Sequence, residues 1–205
     1  MHSPRGISFL FFVLLLGVSS FLYYPRYVAE RGKATQLAAV LSENGDIHSI
    51  DARTKSADCV VEGALPDHAC TPGAIFPNAT PEEVCVPGYT KTVRSVSQKL
   101  KKQMYAAYGI PYPQQRGSYE ADHLVPLALG GSNDIANLFP EAAEPAPGFR
   151  EKDLVEVYLH EEVCAGRAVL EIAQKRIAYN WLAVYENLSS DDIKRLKSKY
   201  RNWSN

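Results

Sequence analysis

An uncharged apolar run over residues 7–24, with four cysteines after it and none before, constrains this chain more than any other feature. The run is preceded by Arg5 and followed by Arg26, Arg31 and Lys33, the flanks expected of a signal peptide or a signal anchor. Val18 and Ser20 are small residues suited to precede a cleavage point, yet the run is also long enough to span a bilayer. Secretion and membrane anchoring therefore both stand, and either places the remainder of the chain outside the cytoplasm. In that setting Cys59, Cys70, Cys85 and Cys164 are disulfide candidates, because an even number of cysteines in an exported chain suits a disulfide framework. No CxxC pair or clustered Cys/His set with zinc spacing occurs, and four cysteines allow three pairings among which the spacing does not choose.

With 205 residues, less a leader, there is room for one domain with one core. The composition divides it into a leader (1–26), a linker (27–55) with a possible short helix over 33–41, a loop region dense in Cys, Pro and Gly (56–90), and a main domain (91–205). Lys and Arg total 22 against 23 Asp and Glu, so overall charge does not point to a nucleic-acid partner and any such surface must be a local patch. One patch comprises Lys91, Arg94, Lys99, Lys101, Lys102 and Arg116, with no acid among residues 91–116; a second comprises Lys194, Arg195, Lys197, Lys199 and Arg201. Either one alone is what a solvated helix face looks like.

Periodicity predicts helices over 95–108, 150–164, 169–185 and 190–200, and a short strand over 118–123. Gly130-Gly131-Ser132-Asn133 reads as turn material and 136–140 as the returning segment of an irregular hairpin, followed by a polar, Pro-rich loop over 141–148. The fold class expected is α+β. The loop region over 56–90 is expected to pack on the rest as a cap.

Chemistry concentrates in the string from Tyr119 to Asn133 and in Asn137-Leu138 downstream of it. Asp122-His123 ahead of Pro126, then Gly130-Gly131, then Asn137-Leu138 resembles the HNH nuclease motif of the ββα-metal superfamily. Cys70-Thr-Pro-Gly, Cys85-Val-Pro-Gly-Tyr, Val93-Arg94, Val163-Cys164-Ala-Gly, Ala173-Gln174 and Trp181 extend the resemblance to a group of exported bacterial HNH-like proteins. It implies a ββα-metal finger, a β-hairpin plus a helix with motif core 118–164, embedded in a mainly helical, disulfide-stapled domain.

Phosphodiester hydrolysis needs a base active near neutral pH, and imidazole, with an unperturbed pKa of ~6.5, suits it; His123 takes that role in the resemblance. It also needs a cation on the phosphate, and the resemblance makes Asp122 the first ligand of one divalent metal. Asn137 matches the central Asn, which ties the hairpin loop together and supports the base. The remaining ligands are expected from the helix, where Glu156 and His160 stand at i and i+4 on one face, with Asp153 a possible additional ligand. Carboxylates with one imidazole suit Mg²⁺ or Mn²⁺, while a larger imidazole share would pull toward Zn²⁺ or Ni²⁺. Where this family commonly presents its third motif residue the chain has Pro145 and Ala146, so the Pro-rich loop reads as an insertion.

The function expected is metal-dependent hydrolysis of nucleic acid, DNA ahead of RNA, bound through Arg94, Lys99, Lys101, Lys102 and Lys152. A membrane is a second partner if the leader is retained, and no protein partner is implied. Two alternatives accompany this reading: a catalytically silent nucleic-acid-binding module on the same fold, and a disulfide-stapled structural domain at the membrane.

Overall fold

A computed structural model describes residues 50–199. The apolar leader, most of the expected linker with its possible helix, and Tyr200 and Arg201 lie outside the described residues. No helix among the described residues is long and apolar enough to cross a membrane.

From residue 50 to about 80 the chain runs mostly without regular structure, as the density of Pro and Gly dictates. Thr80 then caps a single turn, α1 (Pro81–Val84), with its hydroxyl on Glu83 N while the Glu83 carboxylate returns to Thr80 N. Another short helix follows, α2 (Tyr89–Val93), and then α3 (Gln98–Ala107), capped by Ser97. Two strands, β1 (Tyr119–His123) and β2 (Leu138–Ala142), pair antiparallel with Asp122 opposite Phe139 and His123 opposite Leu138. Three helices complete the order: α4 (Phe149–Cys164), α5 (Leu170–Glu186) and α6 (Ser190–Lys199). Among the described residues the architecture is α+β, helix-rich around one two-stranded hairpin. The returning strand reaches Ala142, two residues beyond the expected segment, which places Glu141 inside it and shortens the loop that follows.

Between the strands, residues 124–137 form a long, buried connection with 3₁₀ turns at Leu127–Leu129 and Ile135–Asn137. Gly131 is required there, because a Cβ would lie 1.8 Å from the Val125 carbonyl oxygen. Gly148 is required equally at the start of α4, where a Cβ would lie 2.3 Å from the Ala142 oxygen. Its own N–H reaches the Glu151 carboxylate and closes the N-terminal turn of the helix.

Leu124, Val125, Leu129 and Phe139 of the hairpin share one core with Val155, Leu159 and Val163 of α4 and Leu170, Ala173, Ile177 and Trp181 of α5. The Cys/Pro/Gly region packs on it as a cap: Gly73 N donates to Ala136 O, Phe76 N to Gly130 O, and Ser132 N returns to Ala74 O. Two disulfides fasten this cap. Cys59–Cys70 closes a local loop, and Cys85–Cys164 ties α1 to the end of α4. A cross-link over a sequence separation of 79 contributes about 4 kcal/mol in the chain-entropy account. Such pairs form and persist in an oxidising, extracytoplasmic compartment.

Candidate active site

Asp122 and His123 are neighbours on β1, so alternation sends their side chains to opposite sides of the hairpin. Asp122 faces α4. His123, 4% exposed, reaches the connection, where its Nε2 lies 3.2 Å from Asn133 Oδ1. The Asn133 amide has one possible orientation, since its Nδ2 donates to Val93 O at 2.7 Å and its Oδ1 accepts from Ser95 N at 3.1 Å. Nε2 therefore carries the ring proton and donates it, which leaves Nδ1 as the basic nitrogen. Burial lowers the imidazole pKa, against the raising influence of Asp122 and Asn133, and keeps the ring neutral near pH 7.

Asn137 is wholly buried and spends its amide on the connection. Its Oδ1 accepts from Val125 N at 2.8 Å and Ala74 N at 3.3 Å, and its Nδ2 donates to Val125 O and Ser132 O, both at 2.9 Å. One side chain thus spans the loop that the Gly-Gly turn creates and fastens the cap to it.

Lys152 is the centre of the other side. It was expected at a nucleic-acid surface, and that expectation is corrected: the residue has no exposure and cannot reach a phosphate at the surface. Its Nζ donates to Asp122 Oδ2 at 2.6 Å, Glu156 Oε1 at 2.5 Å and His123 O at 2.8 Å, with Glu141 Oε2 at 4.0 Å. The physical reason is α-helical spacing, which stacks Lys152 under Glu156 on the face of α4 turned to the hairpin. Burial would lower the Lys152 pKa, but Asp122, Glu156 and Glu141 outweigh it, and the ammonium stays charged.

The four acids around it divide. Burial raises Asp122, yet the Lys152 charge and a hydrogen bond with Glu141 prevail and hold it at about 2. Burial drives Glu156 up to about 8 against the pull of Lys152, and burial with the Asp122 charge drives Asp153 up to about 7. Glu141, 1% exposed, is pushed well above the carboxylate range by burial, and neither of its oxygens accepts a hydrogen bond. As the neutral acid it has one O–H to offer the neighbouring Asp122 and keeps an acceptor on its other oxygen.

The structure therefore brings Asp122, Asp153 and Glu156 together, with His123 on the same strand. His160 is not gathered with them: its Nε2 lies 3.0 Å from Val84 O and 3.3 Å from Cys164 Sγ. There it joins Cys85 and Cys164, whose ligand atoms with its own lie within 4.8 Å and could hold a metal, but both sulfurs are spent in the disulfide. Arg94, Lys99 and Lys102 are exposed and Lys101 half-buried, α3 carrying the three lysines. Asn133, Glu141 and the site role of Lys152 went unforeseen. Lys152 at i−4 from Glu156 was a legible ion-pair spacing; Glu141 stood as the first residue of the polar, Pro-rich loop and so drew no notice, and Asn133 had no signal beyond its place after the double glycine.

Comparison of the chain with protein-family models, with curated proteins and with solved structures finds no match in any of the three.

Proposed function

We propose that this protein hydrolyses phosphodiester bonds in nucleic acid, as the HNH nucleases resembled by its Asp122-to-Asn137 string do. The observation that carries the reading is the His123 imidazole: neutral, buried, fixed through Nε2 by Asn133, with Nδ1 left to accept a proton and the neighbouring Asp122 charge acting on the ring. His123 takes a proton from the attacking water at Nδ1. Asn133 holds the ring, and Asn137 holds the backbone that carries Asn133. Because Asn133 bonds both Val93 and Ser95, it also fixes the residue between them, Arg94, whose charge acts on His123. The exposed Arg94, Lys99 and Lys102 suit the phosphate backbone on either side of the cleaved bond.

Oxygen donors for one hard divalent cation would come from the acids gathered around Lys152. Asp122 from the strand and Glu156 from the helix converge on one point, their side chains remain 21% and 16% open, Asp153 is beside them, and Glu141 contributes buried oxygens without a donor. With His160 engaged elsewhere the set is all oxygen, which favours Mg²⁺ or Mn²⁺ over Zn²⁺ or Ni²⁺. When bound, such an ion supplies charge neutralisation for the phosphoryl and leaving oxygens.

The test is cleavage of plasmid DNA and of RNA by the oxidised protein with Mg²⁺, with Mn²⁺ and with EDTA, alongside His123→Ala. The expected result is metal-dependent cleavage that falls at least about 100-fold in the variant. A folded protein that cleaves neither substrate under any of these conditions overturns the proposal. One observation favours a second reading, a binding module without turnover: the Lys152 ammonium already fills the centre on which the carboxylates converge.

A further inference from the structure

Lys152 is in the wrong place to bind substrate and in the right place to govern what the acids around it can bind. It is fully buried, its three N–H groups are all engaged, and two of them take one oxygen each from Asp122 and Glu156. With the ammonium seated, that pair presents at most one net negative charge to an incoming cation. A divalent ion entering alone would be left with uncompensated positive charge in a partly buried site and would have to compete with Lys152 for the same carboxylates. A phosphodiester supplies the missing negative charge and further oxygen ligands. Resting on the metal-dependent reading above, we propose that Lys152 makes divalent-cation binding at Asp122 and Glu156 conditional on a phosphate. Metal and nucleic-acid phosphate then enter as a pair, and the substrate-free site holds its metal weakly.

Linkage makes this measurable without turnover, because each ligand must tighten the other by the same factor. Free Mn²⁺ would be measured by electron paramagnetic resonance in titrations of the full chain, first with Mn²⁺ alone and then with a cleavage-resistant phosphorothioate oligothymidylate. An uncharged methylphosphonate oligomer serves as control. The expected result is Mn²⁺ binding at least about tenfold tighter with the charged oligomer and unchanged with the neutral one. Lys152→Met, if folded by near-ultraviolet circular dichroism, should bind Mn²⁺ alone about tenfold more tightly than the wild type and lose most of the coupling. Tight wild-type binding of Mn²⁺ alone, indifferent to the oligomer, overturns the role of Lys152 and leaves the metal site standing. No Mn²⁺ binding even with the charged oligomer overturns the metal site and this inference with it. The wild-type titrations decide the question even where Lys152→Met fails to fold.

Discussion

At the scale of single residues, Asn137 and His123 are separated by what their removal would cost. Asn137 has no exposure and satisfies backbone groups of Val125, Ala74 and Ser132 that lie inside the connection. Truncation to alanine strands those groups away from water, so Asn137→Ala should lose roughly 2–4 kcal/mol of stability in urea denaturation. Asn137→Asp should lose at least as much, because a carboxylate keeps the acceptors and forfeits both donations. His123→Ala breaks one side-chain hydrogen bond, to Asn133, and should cost less than half of the Asn137→Ala loss while abolishing cleavage. Equal destabilisation by the two alanine variants would place His123 in the scaffold and not in the chemistry. Asn137 was legible as a binder of loop backbone through the HNH resemblance, and an amide suits that role because it can both give to and accept from a peptide group. Lys152 was misread because a lysine in a sequence displays its charge and not its burial; only the strand that brings Asp122 over α4 decides that.

At the scale of elements, α3, β2 and the cap meet at one buried hydrogen-bonded chain. Thr71 Oγ1 lies 2.7 Å from Tyr108 OH and donates to Leu138 O at 3.1 Å, so Tyr108, just past the end of α3, must be the donor to Thr71. Burial pushes the Tyr108 hydroxyl up to about 12, above the ~10 of an exposed tyrosine. A raised folded-state pKa means that this joint contributes fully below about pH 10 and that the contribution is lost as pH climbs through about 12. Stability should therefore fall over that window by on the order of 2 kcal/mol from this group alone. Tyr108→Phe, which has no proton to lose, should be less stable at pH 7 but show a shallower alkaline decline when melting temperature is followed against pH. Parallel declines in both proteins would assign the effect to other groups. The elements themselves were largely readable: the helix bounds differ from periodicity by a few residues, and Gly-Gly marks the connection. What periodicity could not supply was the interior of that connection, whose two 3₁₀ turns depend on Asn137 and the cap, and the extra length of β2, whose buried Glu141 interrupts an apolar pattern.

At the scale of the whole molecule, a chain of formal net charge −1 has no general attraction for a polyanion, so binding must come from a patch with unspent charge. Of the two basic clusters, the C-terminal one is partly committed: Arg195 and Lys199 pair with Glu161 at 2.6 and 2.7 Å. Arg94, Lys99 and Lys102 stand in no ion pair among the described residues, and Arg94 is fixed beside His123 through Asn133. Each phosphate neutralised by such a cation releases counterion and adds about −0.9 to the slope of log K against log salt on duplex DNA. The double variant Lys99→Ala, Lys102→Ala should weaken binding by a similar factor on every sequence and make that slope shallower by about 1 to 2. Lys194→Ala, Lys197→Ala should leave it within error. Fluorescence anisotropy of a labelled duplex, with EDTA present to prevent cleavage and salt varied, measures both. If the C-terminal pair carries the slope instead, the nucleic acid does not approach by α3 and the segment of Arg94 that Asn133 holds, and the catalytic reading loses its route for substrate.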